Sequence, residues 1–446
     1  MRAAVVGGGV AGLAAANRLL QAGHQVSLFE AGPALGGLVR TFDVGGGRLE
    51  SFYHHLFKSD TTIIRLIDEL GLGDRMTWRD SKVGFFQGGR IYDFVTPLDL
   101  LRFRSLPPLD RLRLGLMALR LRRQESWGQF EAVTAHDWIV KNVSRRVFDV
   151  VWGPLLRGKF GEAGDEVSMA WLWSKIHLRF ASRRGGPLQK EQLGYLLGSF
   201  GVYIDEMGRR LREGGADVRT GAPVREVTVA DGRATGLLLA DGERVAADAV
   251  IAAMASDAFE RLVPGLPEEY KSKLTSIRWQ WALCMILTLR QPLSRIYWLN
   301  IGEPGMPFIA VIEHTNFIGP EHYGGQHVVY ISNYLRPDHP YFDLSEDQLW
   351  ELFVPALQRI NPSFSSDWVR ERWLFKGPYA QPIVTTGYRH LIPEHRTPIP
   401  GLYLATMSQI YPEDRGQNYS IMMGERVGEL AVQDMAARQG KVDTGA

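Results

Sequence analysis

Residues 2–30 read RAAVVGGGVAGLAAANRLLQAGHQVSLFE, and this stretch decides the fold. Ala3–Val6 is a short apolar run, the pattern of a buried strand. Gly7-x-Gly9-x-x-Gly12 follows at once, Ala11–Leu20 has helical composition, and Gly23 stops it. Gln25–Phe29 is a second strand that ends at Glu30. Each part has a physical task. Gly7 permits the tight strand-to-helix turn, Gly9 lets a pyrophosphate approach the backbone, and Gly12 lets the helix pack close to the strand. The N–H groups at the helix start, those of Val10 and Ala11 among them, then meet the phosphate anion. Glu30 lies 21 residues after Gly9, where a carboxylate accepts hydrogen bonds from ribose hydroxyls and repels a 2′-phosphate. A dinucleotide-binding unit is expected.

The next residues, AGPALGGLVRTF (31–42), bring Gly36, Gly37 and Arg40 close behind the acid. The glycines let a second loop pass near the pyrophosphate, and Arg40 offsets its charge. A simple NAD dehydrogenase has no need of this turn. The order of acid, spacer, Gly-Gly and Arg resembles the extended flavin signature of the FAD-dependent amine oxidase superfamily. That group includes protoporphyrinogen oxidases, phytoene desaturases and UDP-galactopyranose mutases. The resemblance implies FAD as cofactor, with Ala31 in its binding set beside Glu30.

Two later segments carry the same resemblance. Residues 216–253 read as strand pieces with turns at Asp231-Gly232 and Asp241-Gly242, like the β-meander and return strand of the family's FAD domain. Val224 matches the position whose backbone meets the adenine. PGLYLATMSQIYPEDRGQNYSIMMGERVGELA (400–431) reads as strand, loop and helix. In the family this helix points its N-terminus at the flavin ring, which assigns Asn418, Tyr419 and Ser420 to the cofactor set. N–H groups there stabilise negative charge on the reduced ring. The loop reads EDRGQN instead of a Gly/Ala/Ser-rich turn and has no cysteine, so a cysteinyl flavin linkage is excluded there.

The implied architecture is α/β, with a Rossmann-like, glutathione-reductase-type FAD-binding domain made of residues 1–95, 201–255 and 398–440. A helical insertion (96–200) and a mixed-sheet substrate-binding domain (256–397) separate these segments. ALCMILTLR, PFIAVIEHTNF and HVVYISNYL supply strand-like runs for a sheet that roofs a pocket.

Composition agrees with a globular enzyme of this size. The chain has 446 residues and a net charge of +2, which gives no argument for nucleic acid. The single cysteine, Cys284, sits in an apolar run and is read as a buried thiol. Glycines and Glu30 interrupt the apolar start, so it does not read as a signal peptide. A cytoplasmic protein is expected, with a peripheral membrane contact through 100–123 as an open alternative. That segment, LLRFRSLPPLDRLRLGLMALRLRR, holds seven arginines and one aspartate, and Leu109, Leu112, Leu116 and Leu119 share one helical face. It reads as a lipid-surface patch or as a packed helix with snorkelling arginines. The near-zero net charge and the imperfect amphipathicity favour packing. GPLLRGKFG (153–161), with Arg157 and Lys159, reads either as an anion site or as a structural turn.

Chemistry is expected around ESFYHHLFKSD (50–60). The resemblance brings this stretch beside the flavin. Adjacent residues on an extended chain point to opposite sides, so His54 and His55 do not share a metal, and no metal is expected. One histidine should face flavin or substrate: His55 from a loose His-x-Phe match to the mutases, with His54 the alternative. Lys376, Tyr379 and Gln381 in KGPYAQPIV are further pocket candidates by family analogy. The implied activity is hydride transfer between flavin N5 and an apolar or amphipathic small molecule, by desaturation or reduction. The alternatives are a redox-neutral nucleotide-sugar mutase and a non-catalytic lipid-binding protein like the GDP-dissociation inhibitors.

Overall fold

The computed structural model describes residues 1–181 and 191–443. β1 (Arg2–Val6), α1 (Val10–Gln21) and β2 (Gln25–Phe29) form the expected βαβ unit. They belong to a five-stranded parallel sheet in the order Asp217–Arg219, β2, β1, Ala249–Ala252, Leu402–Leu404. Three distant parts of the chain thus share one sheet. Its strands are apolar because both faces are covered. Ala3 and Val5 pack with Leu13 of α1 and Val427 of the C-terminal helix, Gln417–Asp443. Ala4 and Val6 pack with Val227 and Leu237 of a three-stranded meander on the other face. The C-terminal helix crosses α1 closely, since a Cβ at Gly424 would overlap the Ala11 carbonyl oxygen. Asp231 and Gly232 both take positive φ at the meander's first turn, as a two-residue hairpin demands.

A seven-stranded mixed sheet is the second layer. Its order is Val369–Pro382, Trp279–Leu289, His327–Leu335, Ala310–Glu313, Trp298–Ile301, Val83–Gln87, Arg90–Asp93. The last two strands come from residues that sequence reading grouped with 1–95. Val83–Gln87 joins through parallel pairing with Trp298–Ile301. Alternation divides the long strand Trp279–Leu289 between two environments. Leu283, Met285 and Leu287 pack under the helix Glu346–Ile360. Ala282, Cys284 and Ile286 face the core shared with the parallel sheet. Burial pushes the Cys284 thiol strongly upward in pKa, which makes it inert near neutral pH.

The region after residue 96 is helical. α2 (Thr61–Glu69) precedes it, and α3 (Pro97–Arg102) and α4 (Pro108–Arg123) open it. The segment 153–160 is a helix rather than a turn, with Pro154 in its first turn, where a missing N–H costs nothing. The helix Met169–Ala181 packs between α4 and the centre of the molecule. Among the described residues no helix is long and apolar enough to cross a membrane.

Candidate active site

The nucleotide cradle is backbone built around three glycines. Gly7 has φ +103°, open to glycine alone at low cost. A Cβ at Gly12 would overlap the Gly7 carbonyl oxygen, so this helix meets its strand with no side chain between them. A Cβ at Gly9 would have only the Gly37 Cα near it, at 3.9 Å, which leaves that approach open. No side chain caps α1, so its first N–H groups are available to an anion. Gly36 N–H donates to the Gly8 carbonyl at 2.9 Å and pins the second turn against the first. Gly36 and Gly37 both take positive φ, and Arg40 is exposed beyond them.

Glu30 closes the cradle. Its Oε2 accepts from Gly8 N–H and its Oε1 from Gly32 N–H, each at 2.7 Å. Each oxygen keeps a second lone pair for a ribose hydroxyl. Exposed Ala31 follows it. Ala222 N–H donates to the Glu30 carbonyl at 2.9 Å, which brings Val224 to the same rim. A backbone cradle, an uncapped helix start and a fixed carboxylate fit the ADP half of FAD.

At the other end, the C-terminal helix starts at Gln417. The Asn418 side chain is engaged elsewhere: its Oδ1 accepts from Thr62 and Ile63 N–H at 3.0 and 3.2 Å. It thereby caps α2, whose own N-cap residue, Asp60, makes no side-chain cap. Asn418 Nδ2 donates to Met422 Sδ at 3.7 Å, and the backbone groups at Asn418 stand beside half-buried Tyr419 and Ser420. Gln417 accepts from Tyr203 Oη at 2.6 Å, while its Nε2 and Arg415 Nε are buried without a protein partner. Such orphan donors fit a polar ring edge.

His54 and His55 project to different neighbours, as extended chain requires. His54 Nδ1 pairs with the Phe52 carbonyl at 2.7 Å, and its ring lies near Phe200. His55 Nδ1 pairs with Tyr297 Oη at 3.1 Å among Phe57 and Trp298. Burial, helped by the positive charge of Arg415 and opposed by the bond to the Phe52 carbonyl, lowers His54 to a pKa of about 4. Burial lowers His55 to about 3, helped by Arg179 and Lys175. Both imidazoles are neutral at pH 7.

A charged cluster adjoins them. Asp414 accepts from Lys159 Nζ at 2.5 Å, Lys175 Nζ at 2.9 Å and Trp171 Nε1 at 3.3 Å. The Asp414 carboxyl is buried, yet the neighbouring cations hold it far below its ordinary range. Burial lowers Lys159 to about 7, against the pull of Asp414. Arg415 donates to Tyr334 Oη. Asp414, Lys175 and Arg415 are residues that sequence reading did not select. The unusual EDRGQN loop was the one available signal.

Glu50 was also missed, although it opens the histidine stretch. It is fully buried and accepts from Tyr195 Oη at 2.9 Å and Phe200 N–H at 2.6 Å. Burial raises its carboxyl to about 7. The remaining candidates lie along Val369–Pro382. Lys376 pairs with Leu283, hence faces the Glu346–Ile360 side, and its Nζ donates to the Phe342 carbonyl at 2.5 Å. Strand alternation thus turns it away from the face that Cys284 shares with the core. Tyr379 has φ +54° at a strand bulge, stacks edge-on with Trp279 and Trp281, and accepts from Arg261 at 3.4 Å. Gln381 and its strand partner Gln280 are buried, each with an unpaired Oε1.

The cradle, the C-terminal helix packed on α1 and the buried aromatic end belong to the fold of flavoprotein oxidoreductases. The family model for flavin containing amine oxidoreductases matches residues 10–413, so the chain belongs to that family. It is similar to the 15-cis-phytoene desaturase of Solanum lycopersicum, 26% identical over 287 residues, which cover 60% of this chain. The match spans 48% of that relative's own length. A candidate protoporphyrinogen oxidase structure from Exiguobacterium sp. 255-15 superposes with TM-score 0.77 at 18% identity, covering 97% of this chain and 99% of its own. The structure of reduced UDP-galactopyranose mutase gives TM-score 0.75 at 16% identity, covering 96% and 94%. These two likenesses show the shared fold.

Proposed function

We propose that the enzyme oxidises or reduces a carbon–carbon bond in an amphipathic substrate with an apolar body and an anionic end. The observation that carries this reading is the pairing of two unlike walls at His54 and His55. One wall is aromatic: Tyr53, Tyr297, Trp298 and Phe57. The other holds Lys159, Lys175 and Arg415 around a single carboxylate, Asp414. Bound FAD supplies the hydride-exchanging centre. The aromatic wall excludes water and orients the apolar body, while Lys175 and Arg415 meet the anion. The neutral histidines hydrogen-bond without adding charge, and His55, with His54 as the alternative, faces the reacting carbon. An isoprenoid frame suits the likeness to phytoene desaturase, with a phosphate or carboxylate added to suit the cations.

The test uses purified protein with bound flavin, a C20 isoprenoid phosphate and the matching alcohol. Flavin absorbance is followed without oxygen. Bleaching by the phosphate in preference to the alcohol is expected, with the preference reduced in Lys175→Ala. Equal response to both removes the anionic end from the reading. Absence of flavin absorbance even with added FAD removes the whole of it. The cation cluster equally suits a nucleotide-sugar mutase, which would form product with no net change in flavin absorbance.

A further inference from the structure

The packing of α4 inverts the sequence expectation. Leu114, Met117 and Leu121 are buried, and Trp173 Nε1 donates to the Leu121 carbonyl at 3.2 Å. The stripe Leu109, Leu112, Leu116 and Leu119 is turned outward at 42–57% exposure. Leu98 and Leu101 of α3 are exposed beside it, so six of the nine exposed large hydrophobic residues among those described lie in this one pair of helices. Core packing therefore accounts for one face of α4 and leaves the leucine face exposed, without a packing partner among the described residues.

The charge on this surface is one-sided. Arg102, Arg104, Arg113, Arg120 and Arg123 are exposed. At 100° per residue Arg123 falls within the leucine stripe, and Arg113 and Arg120 flank it. The segment's acids are committed locally: Asp99 closes the Thr96 capping box, and Asp110 is buried against Arg113. We propose that α3 and α4 dock on a bilayer containing anionic lipid, with the leucines at the acyl boundary and the arginines at the head-group phosphates. A second copy of the chain is a poorer occupant, because apposed stripes would bring two sets of arginines together. The helix Met169–Ala181 touches α4 through Trp173 and presents Lys175 to Asp414. The docked surface is thus one helix away from the candidate site. The docking itself does not depend on the substrate proposed above.

The experiment is co-sedimentation of the full-length flavoprotein with phosphatidylcholine vesicles, with and without phosphatidylglycerol. Binding is expected with phosphatidylglycerol and should weaken as salt rises. L112Q/L116Q should lower it about tenfold or more on both vesicle types. R120Q/R123Q should lower it about tenfold on anionic vesicles alone. L352Q, an exposed leucine elsewhere, should change nothing. Unchanged flavin absorbance and melting temperature show that the variants are folded. Failure of the wild type to bind either vesicle overturns the proposal, as does equal binding by wild type and L112Q/L116Q. A wild-type dimer that L112Q/L116Q converts to monomer also overturns it, in favour of a second copy.

Discussion

From Gly7 to Arg40 the groups proposed to meet the cofactor's phosphates and ribose come from one continuous stretch, and most are backbone. At the other end of the candidate site, Glu50, His54, Lys159, Lys175, Asp414 and Gln417 converge from separate parts of the chain, and their contacts are made by side chains. The two ends are held in place by different forces. The cradle depends on the absence of atoms at Gly7, Gly9 and Gly12. The charged end depends on Lys159 and Lys175 sharing the one carboxylate of Asp414.

The sharpest way to break this contrast is Asp414→Asn. The substitution keeps shape but leaves Lys159 and Lys175 facing each other without a counter-charge. Removing one partner of a buried ion cluster costs about 3–5 kcal/mol. A fall of that size in unfolding free energy is expected from denaturant titration, with Lys159→Met as partner. The double variant should recover part of the loss. If Asp414→Asn is neutral, the cluster is solvated and does not form one wall of a closed site.

The cradle has its own paired test. Gly12→Ala places a methyl on the Gly7 carbonyl and should destabilise the fold by about 3 kcal/mol, the upper end for overpacking. Gly9→Ala has room within the protein and should leave folding intact. Its methyl stands where phosphate would approach, so FAD affinity should fall about tenfold or more. Melting temperature and flavin retention separate the two. The same outcome for both would mean that the spacing serves packing alone.

This contrast also explains what could be read from the sequence. Gly7, Gly9, Gly12 and Glu30 are legible because a tight turn beside a phosphate tolerates few alternatives at fixed spacing. The parallel sheet followed from the same stretch, and the meander from its Asp-Gly turns. Asp414 and Lys175 carry no such signature, since their meaning lies in a contact across 239 residues. Asn418 was assigned to the flavin through the N–H groups at the helix start, on the family resemblance; that its side chain supplies the cap that α2 lacks was not legible. Lys376 was selected by family analogy, and the period of two in a strand turns its side chain to the other face of the sheet. The exposed stripe of α4 shows the same limit. Periodicity identified the four leucines as one face, but both faces of that helix are apolar and only tertiary packing chooses between them.

Glu50 gives the smallest and most specific test. It belongs to the same enclosed end as the histidines, and the Tyr330 hydroxyl donates to its own carbonyl at 2.8 Å. Its folded pKa is raised from 4.5 to about 7, so the folded state binds the proton more tightly than the unfolded chain. Stability from this group is therefore full below pH 4.5 and is lost as pH rises toward 7. His54 and His55 titrate with the opposite sign, because their folded pKa values are lowered and acid favours the unfolded chain. Glu313, also raised to about 7, adds to the Glu50 trend. The useful quantity is thus the difference between Glu50→Gln and wild type, in which these other groups cancel. That difference should shift by about 2 kcal/mol in favour of the variant between pH 5 and 7. A flat difference would mean that water reaches Glu50, and that the region behind His54 is not closed to solvent.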